Sequence, residues 1–189
     1  MTIPWSRAFA PVLFLLAAGP AIAHAGAANG LGSGLAHPLL GLDHLIAMLA
    51  IGFWSSQVGL ARAWLLPGTF LGGLVVGILL GLLITPPGGT ELLVSGSVVL
   101  LGVAVGIGGP RRVELAFPLA AAIGLIHGFA HGAEIGDSVV LTIIGMLVGS
   151  ALLLTIGYVG GRWLGKRDSL VQTGGAGVIA AGLVLFLMA

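Results

Sequence analysis

Two short segments hold nearly all of this chain's capacity for metal chemistry. One reads His37-Pro-Leu-Leu-Gly41-Leu-Asp43-His44, the other His127-Gly-Phe-Ala-His131-Gly-Ala-Glu134. On a helix turning about 100° per residue, His127, His131 and Glu134 fall within roughly 60° of one another. Two imidazoles and a carboxylate on one face are donors suited to divalent Zn, Ni, Co, Cu or Fe. His44, seven residues after His37, lies on the same side as it within about 20°. Asp43 is offset from His44 by about 100° on a regular helix. It can donate to the same ion only if Pro38 and Gly41 distort the turn; otherwise it orients an imidazole N–H as an acceptor. The candidate metal set is therefore His37, Asp43, His44, His127, His131 and Glu134. With no cysteine in the chain, thiolate sites and disulfides are excluded.

The elements that must position these residues are hydrophobic. Of the 189 residues, 58% are hydrophobic and only 7% charged, where a soluble domain carries about 25% charged residues. Most of the chain therefore faces lipid or protein, and the fold class is an all-α polytopic membrane protein. No basic face or aromatic-interleaved patch suggests a nucleic-acid partner. Residues 1–23 resemble a secretory signal: Arg7, an apolar run from Ala8 to Ala18, and an Ala21-Ile22-Ala23 cleavage site, with Ala23-His24-Ala25 as a second. That leaves residues 24–189 as one transmembrane domain. Ala25 to Leu35 reads as a Gly/Ala/Asn/Ser-rich external tail. Six apolar segments follow, near the ~20 residues that cross a bilayer: Ala36–Ser56, Ala63–Ile84, Glu91–Ile107, Val113–His131, Ser138–Gly161 and Leu170–Met188.

Charge sets an orientation for these spans. Arg62, Arg111, Arg112, Arg162, Lys166 and Arg167 all fall in the first, third and fifth connections. Those loops are expected to be cytoplasmic, with both mature termini periplasmic. The first span then runs inward and the fourth outward, so both motifs come to the outer half. A single histidine in a span is as often a hydrogen-bonding residue between helices as a ligand. Four with two carboxylates at one depth are harder to explain so, because ionisable groups in a span cost about 2.5–3.5 kcal/mol each near its centre. Glu91 and Glu114 open spans and read as helix-start carboxylates. Met48 and Met146 read as lipid or packing residues, and the tryptophans as interfacial anchors.

Thirty-four glycines, many four residues apart, predict helices packed backbone to backbone. Gly73/Gly77/Gly81 and Gly124/Gly128/Gly132 are examples, and in the latter run Gly128 and Gly132 each follow a histidine directly. Such faces are also candidates for joining copies of the chain.

The two motifs, in six spans behind a signal, resemble those of the HupE/UreJ family across essentially the whole mature chain. The resemblance implies a secondary permease for nickel, sometimes cobalt, importing metal across the bacterial inner membrane for hydrogenase and urease systems. Its motif residues correspond to His37, Asp43, His44, His127, His131 and Glu134. The first motif is also similar to the His-x4-Asp-His signature of another nickel/cobalt transporter family, with one more intervening residue. The chain has no nucleotide-binding loop, so an ion gradient, the membrane potential or a cytoplasmic metal sink is expected to drive it. No cofactor is expected; the ion is cargo. Two alternatives stay open. One is an intramembrane zinc hydrolase built on His127, His131 and Asp43, although it lacks a His-Glu-x-x-His motif and the six donors exceed the usual three. The other is an accessory protein that binds metal without transporting it.

Overall fold

The computed structural model describes residues 29–58, 63–107, 113–164 and 168–189. Among them every regular element is a helix: α1 (Gly30–Leu40), α2 (Leu42–Gln57), α3 (Leu65–Leu83), α4 (Thr90–Gly106), α5 (Val113–Gly132), α6 (Val139–Leu164) and α7 (Asp168–Met188). Four of these, α3, α5, α6 and α7, are long and apolar enough to cross a membrane. The bent pair α1–α2 makes a fifth if taken as one span, and α4 is a shorter apolar helix of 17 residues. The signal at 1–23 and the cations Arg62, Arg111, Arg112, Lys166 and Arg167 lie outside the described residues.

The close helix pairs meet at glycines, where the missing side chain lets two backbones approach without a hydrophobic drive between helices. A Cβ on Gly124, Gly128 or Gly132 of α5 would meet the backbone of α3 at Phe70, Leu74 or Ile78. Reciprocally, Gly73, Gly77 and Gly81 of α3 lie against the α5 backbone at Ala121, Leu125 and Phe129. Helix α6 holds two partners in turn: Gly145 and Gly149 seat α1, then Gly157 and Gly161 seat α2. Gly102 and Gly106 of α4 meet Gly175 of α7 in the same way. Between the pairs, Trp54, Phe70, Leu66, Ile51, Val98, Leu101 and Ile123 fill a common core. Leu83, Leu93, Val140, Leu152, Trp163 and Leu187 stay on the outside, the apolar surface a bilayer covers.

Three expectations change. Gly30 to Leu35, read as tail, form the first turns of α1. Their sequence is a poor helix former, but Gly34 packs on Thr142, Gly145 packs on Leu31 and Leu35, and Thr142 Oγ1 accepts from the Gly30 N–H at 2.8 Å. Packing on α6 overrides propensity.

The segment Ala36–Ser56 is not one rod. The chain bends through 76° between α1 and α2. Gly41 at the break is extended (φ −75°, ψ 113°), its N–H donating to His37 O at 3.0 Å and its C=O accepting from Leu45 N at 2.8 Å. One residue thus closes α1 and opens α2. Asp43 Oδ1 accepts the His44 backbone N–H at 2.8 Å, satisfying a donor that the start of α2 would otherwise leave open.

Trp54, read as an interfacial anchor, is fully buried in the core, whereas Trp64 and Trp163 are exposed.

Candidate metal centre

The bend at Gly41 and the end of α5 meet at one place. His37 lies in the last turn of α1, His44 in the first of α2, and His127 and His131 one turn apart near the end of α5. His44, His127 and His131 are buried; His37 is half-buried at the mouth of the group. His44 stands in the centre. Its ring centroid is 5.4 Å from that of His37, 4.8 Å from His127 and 4.4 Å from His131, and the His37–His131 pair closes at 4.7 Å. All four contacts are edge-to-face. One ring nitrogen from each of His37, His44 and His131 lies within 4.8 Å of the other two, a separation one ion can bridge. The rings border a cavity of about 10 Å³, the size of a single water-sized sphere.

Neither His127 nor either carboxylate belongs to that group of three nitrogens. Asp43 Oδ1 sits 2.9 Å from His44 Nδ1, and Glu134 Oε2 sits 2.7 Å from His131 Nδ1. Helix α5 ends at Gly132, so Glu134 reaches back from the following turn instead of extending a helical face. Each carboxylate accepts the Nδ1 proton of its histidine and leaves Nε2 as the basic nitrogen. His131 Nε2 is buried and has no hydrogen-bond partner among the described residues. Gly41 belongs to this geometry as well. A Cβ there would stand 3.0 Å from Asp43 Oδ1 and 3.3 Å from His44 Nδ1, crowding the pair.

A direct test separates orienting from donating. Asp43→Asn and Glu134→Gln keep an acceptor oxygen but lose the charge. Each is expected to weaken metal binding about 10–100-fold, the usual cost of losing such a partner. Competition titration of purified protein against a nickel chelator measures it, and unchanged affinity in both variants would sink this role.

Several lining residues were not among the candidates. Met48 and Met146, read as packing residues, border the same cavity as the histidines, together with Ser150. Ser97 of α4 reaches His127 Nε2 with its hydroxyl at 2.9 Å. A polar residue inside an apolar span was the available signal for the serines. For Met48 it was the spacing of one turn after His44.

These features define a class: a helical membrane protein whose helices converge on a cluster of four imidazoles, three of them buried, with the donor chemistry of a transition-metal site. The chain belongs to the HupE/UreJ family, whose model, HupE / UreJ protein, matches residues 12–185. A similar protein, Protein HupE of Rhizobium leguminosarum bv. viciae, is 33% identical over 180 residues, which cover 89% of this chain and 92% of that one. No solved structure matches the chain.

Proposed function

We propose that this protein is a secondary permease that imports Ni²⁺, with Co²⁺ as the alternative cargo, across the bacterial inner membrane. The observation that carries the reading is the convergence of four imidazoles on an ion-sized cavity within a HupE/UreJ chain. Imidazole without thiolate suits Ni²⁺ and Co²⁺. His37, His44, His127 and His131 are the donors, and Asp43 and Glu134 hold two of the rings in register. Six spans, with α1–α2 as the first and α4 as the third, carry the site, with both termini in the periplasm. In that topology the histidines lie in the outer half, on the side of the metal supply. The ion sheds part of its hydration shell at half-buried His37, is taken by the buried rings, and leaves inward.

The family points away from an enzyme. A zinc hydrolase would use three of these nitrogens and a carboxylate to activate water. Both carboxylates here accept imidazole protons instead. Purified hydrolase would keep zinc stoichiometrically; a permease releases its ion.

Radiotracer nickel flux into proteoliposomes tests the proposal. Uptake above protein-free vesicles is expected, with cobalt competing more strongly than zinc. Binding in detergent without flux in vesicles would replace the permease with an accessory metal-binding protein.

A further inference from the structure

His127 differs from the two histidines held by carboxylates. It is completely buried, and its Nε2 faces the hydroxyl of Ser97, a buried residue of α4, at 2.9 Å. The same hydroxyl stands 2.6 Å from Val94 O. A serine has one proton to give. A backbone carbonyl can only accept, so the short contact with Val94 takes that proton, and the Ser97 oxygen meets His127 as an acceptor. His127 then carries its proton on Nε2. The opposite tautomer would require Ser97 to abandon Val94 and would strand an N–H at Nδ1, which is buried with no partner among the described residues. As a lone pair, that Nδ1 is open, and His127 lines the cavity shared with His37, His44 and His131.

We infer that Ser97 is a positioning residue of the metal centre: it holds His127 as the Nε2–H tautomer and so makes Nδ1 the nitrogen offered to the ion. The centre is then mixed: Nδ1 of His127 is added as a fourth donor to the nitrogens that His37, His44 and His131 group within 4.8 Å of one another, Nε2 in the case of His44 and His131. Nδ1 is the ring nitrogen nearer the main chain, so a cation bound through it sits closer to α5 than an all-Nε2 set would place it. Ser97 thus brings α4 to a site whose histidines come from α1, α2 and α5. The inference rests on the reading of His127 as a donor, but its hydrogen-bond half stands without any metal.

Nitrogen-15 NMR of the full-length, metal-free protein in detergent, labelled at histidine, is the test. The His127 signals are identified by their loss in His127→Gln. Wild-type His127 is expected as a single Nε2–H tautomer; an Nδ1–H ring would overturn the inference whatever the variants do. In Ser97→Ala the tautomers are expected to mix, and nickel affinity to fall about 10–100-fold with helical content unchanged. A variant that keeps both the pure tautomer and wild-type affinity would also overturn it. If wild-type protein shows the Nε2–H tautomer yet binds neither nickel nor cobalt, the permease reading and the metal role of Ser97 fail, while its hydrogen bond with His127 stands.

Discussion

Cells carrying His44→Ala are expected to accumulate no more nickel than cells lacking the protein. Of the four rings, His44 alone touches the other three, at 5.4, 4.8 and 4.4 Å between centroids. Its loss removes a donor and the wall against which His37, His127 and His131 stand. It also leaves the Asp43 carboxylate facing a hole, its partner ring gone. Removing a partner that merely orients an imidazole costs about 10–100-fold in metal affinity; removing the imidazole itself costs more. His131→Ala should match it, because His131 contributes one of the three nitrogens grouped within 4.8 Å. His37→Ala should also abolish accumulation if, as proposed, this half-buried ring meets the ion first. Membrane abundance of each variant, read by immunoblot, separates lost binding from lost protein. Wild-type accumulation at normal abundance in the His44 variant would remove the histidine cluster from the transport path.

How much of this centre is legible in the sequence depends on how local each relation is. His127 and His131 share a face because one helix turn separates them, and no other part of the fold is needed to know it. His37 and His44 also meet, but not through the seven-residue spacing that suggested it. That spacing assumes a continuous helix, and the chain turns through 76° between them. The bend depends on Asp43 satisfying the start of α2 next door, and on Gly145 and Gly149 holding α1 from far along the chain. Glu134 reaches His131 from a turn after the helix has ended, so its helical offset named a true partner by a different geometry. Ser97 was beyond reach. It meets His127 across 30 residues, and the facing of α4 is set by its contact with α7 at Gly102, Gly175 and Ile179. Glycine spacing predicts that helices will pack closely, but the choice of partner is a property of the assembled bundle. Residue types therefore announce the chemistry, local periodicity groups the donors, and the groups that orient them emerge only with the tertiary contacts.

The second large effect is expected from a residue with no chemistry of its own. Gly128→Ala should lower stability by about 1–3 kcal/mol, the usual cost of overfilling a packed interface, and weaken nickel binding in the same protein. A Cβ at Gly128 would stand 2.8 Å from Ile78 N and 2.9 Å from Leu74 C. These are backbone atoms of α3 and cannot rotate aside. Carbon atoms pack at about 3.5–4.0 Å, so the two helices must part by roughly 1 Å. Gly77 on the facing helix meets the same seam from the other side, so there is no slack to absorb the shift. His127 precedes Gly128 directly and His131 lies one turn beyond it. Displacing α5 from α3 therefore moves two of the four rings against His44, whose contact with His131 is the tightest, at 4.4 Å. Gly72→Ala in α3 is the matched control. Nothing lies within 4 Å of a Cβ placed there, and alanine is favoured over glycine in a helix by about 1 kcal/mol. Thermal unfolding in detergent, followed by circular dichroism with and without nickel, compares the two. Gly72→Ala should hold or raise the midpoint and keep its nickel-induced shift; Gly128→Ala should lose both. Equal behaviour of the pair would mean that α3 and α5 are not seated on this glycine seam, and that the histidines are set by some other contact.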